Sequence, residues 1–350
     1  MVRRVAFAVP GDLATPTGGY AYDRRMITEL ERLGWNIDLI NLDEGFPRPS
    51  QEQRKAAQER LSAIAVGCPI VMDGLAFGVL PELALQLRPH HPLIALIHHP
   101  LALESGLSAA QADGFRASER AALASARRVI VTSATTARLL AVDYGVPPDH
   151  ITVACPGTDS VPATQGSNDG IVRLLAIGAV VPRKGFDVLI AALATLPELP
   201  WHLTIAGDRS RDADAASQLD ADIARFKLSD RVAVLGAVSR ERVAELYASA
   251  DLFTLASRFE GYGMAFSEAL AHGLPVIGTN AGAIPETVAS GAGILVASDD
   301  PATLATALRH VIENPDARRR MAASARVAAQ AFPSWQDSAK LFSRALEAVA

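Results

Sequence analysis

The strongest constraint on this chain is a repeated alternation. Short runs rich in β-branched and aliphatic residues recur along it: "VRRVAFAVP", "NIDLINL", "PIVMDG", "PLIALIH" and "RVIVTS" in the first half, then "IVRLLAIG", "WHLTIAG", "RVAVLG", "DLFTLAS" and "LPVIGT" in the second. Amphipathic stretches fill the intervals. In "YDRRMITELERLG", Met26, Ile27, Leu30 and Leu33 recur at helical spacing, and Gly34 stands where a helix C-terminus favours glycine. Strands alternating with helices form βαβ units with parallel strands, so the fold class is α/β. A length of 350 residues allows two domains at roughly 150 residues each, and each is large enough to bury a core.

The stretch "CPGTDSVPATQGSNDG", Cys155 to Gly170, is rich in Pro, Gly, Ser and Asp and almost devoid of apolar residues. It places the expected boundary between domains 1–165 and 166–334. The two halves share the alternation but no readable repeat. They are expected to be two Rossmann-like domains whose parallel sheets face a central cleft. Ligands of such sheets bind beyond the carboxyl ends of the strands, so the residues just after each strand are the place to look.

Composition removes several function classes. A net charge of -5 with no long basic run gives no footprint for nucleic acid. Cys68 and Cys155 fit no metal or redox spacing and are expected to be free thiols of a reducing cytoplasm. The opening "MVRRVAFAVPGD" has too short an apolar run before Pro10 for a signal peptide and reads as a first strand. The longest apolar runs are about half of the ~20 residues that span a bilayer.

Four strand ends carry chemistry. After the first run, Gly18 and Gly19 stand before a helix, where bare backbone admits a phosphate; the spacing is not GxGxxG. After "PLIALI" come His98 and His99, with His90 and His91 nearby. No acidic or cysteine partner has ligand spacing, so no metal is expected. After "IVRLLAIG", Arg183 and Lys184 precede a helix starting near Phe186, an arrangement suited to a diphosphate. The richest stretch is "SRFEGYGMAFSEALAHGLPVI". Glu260 falls in a loop at a strand's carboxyl end, Tyr262 and Gly263 expose backbone N–H groups, and Glu268 rides the second turn of the following helix, where a carboxylate can accept two hydrogen bonds from a ribose diol.

"EGYGMAFSEALAHGLPVI" resembles the E-x7-E segment of the retaining family-four glycosyltransferases, which have the two-domain GT-B fold. "PTGGYAYDRRMITELERLGWNIDLI" is similar to that family's N-terminal glycine loop and helix, "RKGFDVLIAAL" to its phosphate-binding turn, and "GTNAGAIPETV" to its closing region. The resemblance implies Glu260 beside the donor sugar, Glu268 on the nucleotide ribose, Lys184 on the diphosphate, Gly19 near the phosphates and His98 close to the anomeric centre. It departs in three places. Ala179 stands where members usually carry arginine, with Arg183 as the nearest substitute, Ala256-Ser257 stands where Pro-Ser is familiar before the first glutamate's loop, and His99 stands where an acidic residue is often found. The final "FPSWQDSAKLFSRALEAVA" resembles the family's last helix, which crosses back to the first domain and implies that residues 335–350 belong there.

The implied activity is transfer of a sugar from a nucleoside diphosphate sugar to an acceptor hydroxyl with retention of configuration and no metal or other cofactor. His98 and Glu260 would position the sugar and stabilise its developing positive charge. The acceptor class stays open among glycan, lipid-linked and small molecules. A nucleotide-sugar epimerase or a phosphorylase uses the same architecture, but no segment argues for a phosphorylase's pyridoxal phosphate lysine; a non-catalytic sugar-nucleotide binding protein is the third alternative. Arg116, Arg120, Arg127 and Arg128, expected on or near one helix, pose weak peripheral contact with anionic lipid against a solvated face, which the acidic balance favours.

Overall fold

Twelve strands carry the alternation in a computed structural model, which describes residues 3–104, 106–164, 166–167 and 169–349. Among the described residues they form two six-stranded parallel sheets. The first contains β1 (Arg3–Val9), β2 (Trp35–Asn41), β3 (Ile70–Asp73), β4 (Leu93–Ile97), β5 (Arg128–Val131) and β6 (Ile151–Val153), in the order β2-β1-β3-β4-β5-β6. The second contains β7 (Val172–Ile177), β8 (Trp201–Ala206), β9 (Val232–Val234), β10 (Leu252–Thr254), β11 (Val276–Thr279) and β12 (Gly293–Val296), in the order β12-β11-β10-β7-β8-β9. All ten runs named above supply strands. The two edge strands β6 and β12 were not expected. "ITV" and "GILV" become strands because β5 and β11 offer them a free edge.

Helices cover both faces of each sheet, which is why the central strands are apolar throughout rather than alternating. Val5 to Val9 of β1 are at most 1% exposed, as are Leu252 and Phe253 of β10. The chain divides into two compact units, Met1–Gly157 with Pro333–Ala350, and Thr158–Phe332. The expected boundary fell on Gln165, which lies outside the described residues. On either side of it the segment is fastened to the second unit. Thr164 donates to the carbonyls of Ala248 and Ala250, at 2.7 and 3.0 Å, and Asp251 accepts from the backbone and hydroxyl of Ser167, at 2.6 and 2.7 Å. A polar composition that looked like a linker is instead anchored by side-chain hydrogen bonds.

The last helix, Trp335–Glu347, packs on the first unit. Phe342 stacks on Phe7 with 6.4 Å between ring centroids, and Ser343 accepts from the indole of Trp35 at 2.9 Å. The two cysteines form no disulfide. Among the described residues no helix is long and apolar enough to cross a membrane. The four arginines do not share a helix: Arg116 and Arg120 lie on Ala109–Leu123, whereas Arg127 precedes β5 and Arg128 opens it. Arg116 pairs with Asp113 at 3.0 Å, and Arg120 and Arg128 donate to the carbonyls of Asp143 and Asp149.

Candidate functional site

In each sheet the order of strands reverses once, between β1 and β3 and between β7 and β10. The crevice outside the carboxyl ends at such a reversal is where open α/β sheets bind ligands. The candidate residues gather there in both units.

In the second unit, the loops after β7 and β10 are stitched together. A tight turn, Pro182–Lys184, ends at Gly185 with φ 64°, and the helix Phe186–Leu193 begins. A Cβ at position 185 would lie 2.0 Å from the carbonyl oxygen of Ala256, so the two loops can approach only over a glycine. The backbone N–H of Arg258 donates to Arg183 O at 2.8 Å, and its guanidinium reaches Asp187 and Asp299 at 2.7 Å each.

This stitching delivers two cations to Glu260, which is 6% exposed. Lys184 Nζ donates to Glu260 Oε1 at 2.6 Å, Ser257 Oγ donates to the same oxygen at 2.6 Å, and Arg183 Nη1 stands 3.5 Å from Oε2 while donating to Phe259 O at 2.9 Å. Burial pushes the Glu260 carboxyl up, but the charges of Lys184 and Arg183 and the hydrogen bonds overcome it and hold the group below its usual range. From the other side, Ala283 N donates to Glu260 O at 2.9 Å, beneath Gly282, where a Cβ would meet that oxygen at 2.3 Å.

Tyr262 is buried, its carbonyl held by Thr287 Oγ1 at 2.8 Å. Gly263 opens the helix Met264–Ala271 with φ 89° and no side-chain cap, and the helix after Gly185 likewise has none. Glu268 lies on the second turn of Met264–Ala271, half-buried. Its Oε2 accepts from the hydroxyl of Tyr247 at 3.0 Å, and Tyr247 is stacked on His272 at 5.1 Å. Burial raises the Glu268 carboxyl, opposed by that hydrogen bond. Arg183, Lys184, Glu260, Tyr262, Gly263 and Glu268 thus line one end of one sheet.

In the first unit, Gly18 and Gly19 do not precede the helix as expected. They are its first two residues, Gly18–Arg32, because Thr17 takes the cap and accepts from Tyr20 N at 3.1 Å. A Cβ on Gly18 would meet nothing within 4 Å, whereas one on Gly19 would stand 3.3 Å from Cδ2 of His98, so Gly19 is a bare spot against that ring. His98 follows β4 directly. Sequence spacing gave it no acidic partner, but the fold supplies two: its Nε2 lies 3.1 Å from Asp23 Oδ1 and 3.5 Å from Asp73 Oδ2. Asp73 ends β3, and its Oδ1 accepts from Leu75 N at 2.7 Å. His99 turns aside to Glu104, at 3.2 Å.

Comparison with known proteins matches two glycosyltransferase family descriptions to this chain. The description "Glycosyl transferases group 1" matches residues 159–328, and "Glycosyltransferase Family 4" matches residues 70–161. The chain belongs to the family-four glycosyltransferases. The second match covers β3 and β4 with Asp73 and His98, and the first covers every candidate of the second unit.

Among family relatives, mannosylfructose-phosphate synthase of Agrobacterium fabrum is 31% identical over 186 residues, covering 48% of this chain and 41% of the relative. D-inositol 3-phosphate glycosyltransferase of Corynebacterium kroppenstedtii is 30% identical over 244 residues, 64% of this chain and 54% of the relative. The chain therefore spans about half the length of the curated relatives it matches. Sucrose-phosphate synthase of Thermosynechococcus elongatus superposes with a TM-score of 0.81 at 22% identity, over 99% of this chain and 100% of that one. HepE of Anabaena in complex with UDP-glucose gives 0.75 at 20% identity, over 98% and 99%. At such identities the likeness is one of fold, and that fold is GT-B.

Four residues around the site were missed in the sequence: Asp23, Asp73, Ser257 and Tyr247. Asp23 had a signal, since it sits on the apolar stripe that continues through Met26 and Leu30 and is 0% exposed. An acid on the buried face of an amphipathic helix asks for a partner. Tyr247, on the preceding helix Arg240–Ser249, had none.

Proposed function

We propose that this chain transfers a sugar from a nucleoside diphosphate sugar to an acceptor hydroxyl, with retention of configuration, without a metal, and in the cytoplasm. The observation that carries the reading is the pair of cations gathered on one buried carboxylate beside two helix N-termini that lack side-chain caps. Lys184 and Arg183 bring two positive charges to Glu260, and the helices that begin at Phe186 and Met264 have no side-chain cap. A diphosphate matches both features.

On arrival the diphosphate competes with Glu260 for Lys184. The carboxylate is then held by Ser257 and stays ionised beside the donor sugar, where negative charge favours loss of the leaving group. Charge developing on the leaving diphosphate is stabilised by fixed cations and N–H groups, which need no reorganisation during the step. Glu268, pre-oriented by Tyr247, accepts from the ribose hydroxyls. Gly18 and Gly19 offer backbone to the phosphates, and His98 contacts the sugar. Retention is supported by the family, as is the nucleotide donor: solved relatives include HepE with UDP and glucose.

Thermal-shift screening with UDP, GDP, ADP and their sugar conjugates, in EDTA and in magnesium, tests donor and metal together, since a ligand bound only to the native state raises its melting temperature. Stabilisation by one nucleotide sugar in EDTA, lost in Lys184→Ala and Glu268→Ala, is the expected result. Near-normal donor affinity in both variants would sink the assignment. The anomeric proton coupling of the product decides retention.

A further inference from the structure

Asp23 and Asp73 are 0% and 1% exposed, and both face Nε2 of His98. Two buried carboxylates on one imidazole need explanation, because each buried charge is costly unless it is paired. One oxygen of each aspartate, Oδ2 in both cases, has no hydrogen-bond partner among the described residues. Among the described residues, the imidazole is the group that approaches both carboxylates and can offset their charge, when it is protonated. The ring is fixed on its other sides by the edge of Tyr22, at 5.3 Å and 80°, and by the bare backbone of Gly19.

We propose that Asp23 and Asp73 are positioning residues that keep His98 an imidazolium, with Nε2–H turned inward to the carboxylates and Nδ1–H left as a fixed, charged donor for a ligand oxygen. This rests on the reading of His98 as a donor-sugar contact. It changes what that contact does. A ring already protonated on both nitrogens accepts no proton from an acceptor hydroxyl; it donates a charge-assisted hydrogen bond. The three groups together carry one net negative charge, two carboxylates against one imidazolium, so the cluster as a whole still favours positive charge developing on a sugar nearby. Burial alone would lower the imidazole, but the charge and hydrogen bond of Asp23, followed by those of Asp73, raise it to about 10. The groups facing the ring are Tyr22, Asp23 and Asp73.

The test is a pH titration of His98 by 1H–15N NMR of the imidazole in the full chain, in EDTA and then with added Zn2+, with His98→Gln assigning the resonance. No donor is needed, so the outcome is independent of transferase activity. In the wild type both ring nitrogens are expected to stay protonated beyond pH 8.5. Asp23→Asn keeps an oxygen for Nε2–H but removes the charge, and should lower the midpoint by about 2 pH units. Asp73→Asn, which retains the bond to Leu75, should lower it by less. Turnover in Asp23→Asn should acquire an alkaline loss near the new midpoint, and Asp23→Glu should reverse it. A wild-type midpoint near 6.5, an unchanged midpoint in Asp23→Asn, or stoichiometric displacement of the imidazole proton by Zn2+ at neutral pH would each overturn the proposal. If the wild type fails to turn over any nucleotide sugar while the midpoints move as stated, the positioning pair stands and the transferase reading fails.

Discussion

The two units solve opposite versions of one electrostatic problem at equivalent places in their sheets. In the first, one imidazole serves two buried carboxylates, and the cluster is anionic. In the second, one buried carboxylate serves a lysine and an arginine. Each uses residues from two or three strand ends next to the reversal of strand order. The difference teaches that the doubly wound sheet fixes where charge is gathered but not its sign, which depends on a few side chains.

The contrast breaks most severely at Lys184. Removing it leaves Glu260 buried with the Ser257 hydroxyl and the longer contact to Arg183 as its side-chain partners, so Lys184→Ala should cost about 3–5 kcal/mol of stability and at least about 100-fold in turnover. Lys184→Ala with Glu260→Gln should recover most of the stability and none of the turnover. Urea melts and product release measure the two effects, and equal recovery of both would mean that the pair is structural only.

The pH dependence of stability sharpens the contrast, because the units should respond with opposite sign. Glu119, buried in the first unit and accepting from Leu101 N at 3.1 Å, is raised by burial to about 8. A carboxyl raised in the folded state binds protons that the unfolded chain has released. Stability should therefore fall as pH rises between the ordinary carboxylate range and about 8, by on the order of 4 kcal/mol. The raised His98 acts in the same direction at higher pH: its contribution is full below about 6.5 and lost as pH rises through about 10. Glu260, held low, contributes stability that is present above its ordinary range and lost only in acid. Glu119→Gln should flatten the decline in melting temperature between the ordinary carboxylate range and about pH 8, whereas Glu260→Gln should flatten only the acid limb.

Smaller effects separate glycines that look alike in the sequence. Gly185→Ala meets Ala256 at a left-handed residue and should cost upwards of about 2 kcal/mol. Gly18→Ala meets nothing and lies in the first turn of a helix, so it should be neutral or slightly stabilising, by up to about 1 kcal/mol. A loss of donor affinity in Gly18→Ala at unchanged stability would mark close backbone approach by a phosphate. Tyr247→Phe removes the hydroxyl that orients Glu268 and should weaken nucleotide binding by about 0.5–1.5 kcal/mol, read by isothermal titration.

The amino-acid sequence determined the alternation, ten of the twelve strands, the strand ends at which Arg183, Lys184 and Glu260 stand, and the helix that carries Glu268. These follow from local physics: side-chain periodicity, glycine stops and the rule that ligands sit beyond the carboxyl ends. The edge strands β6 and β12 were decided by the tertiary structure, since strands of three and four residues persist only where a neighbouring strand completes their hydrogen bonds. So were the partners of each charge. Asp23, Asp73 and His98 come from three segments as much as 75 positions apart, and Lys184 meets Glu260 across 76. Composition and spacing reveal which charges a chain owns, but their pairing, and with it their protonation, is fixed only when strand order brings distant loops to one edge of a sheet and burial makes an unpaired charge too costly to keep.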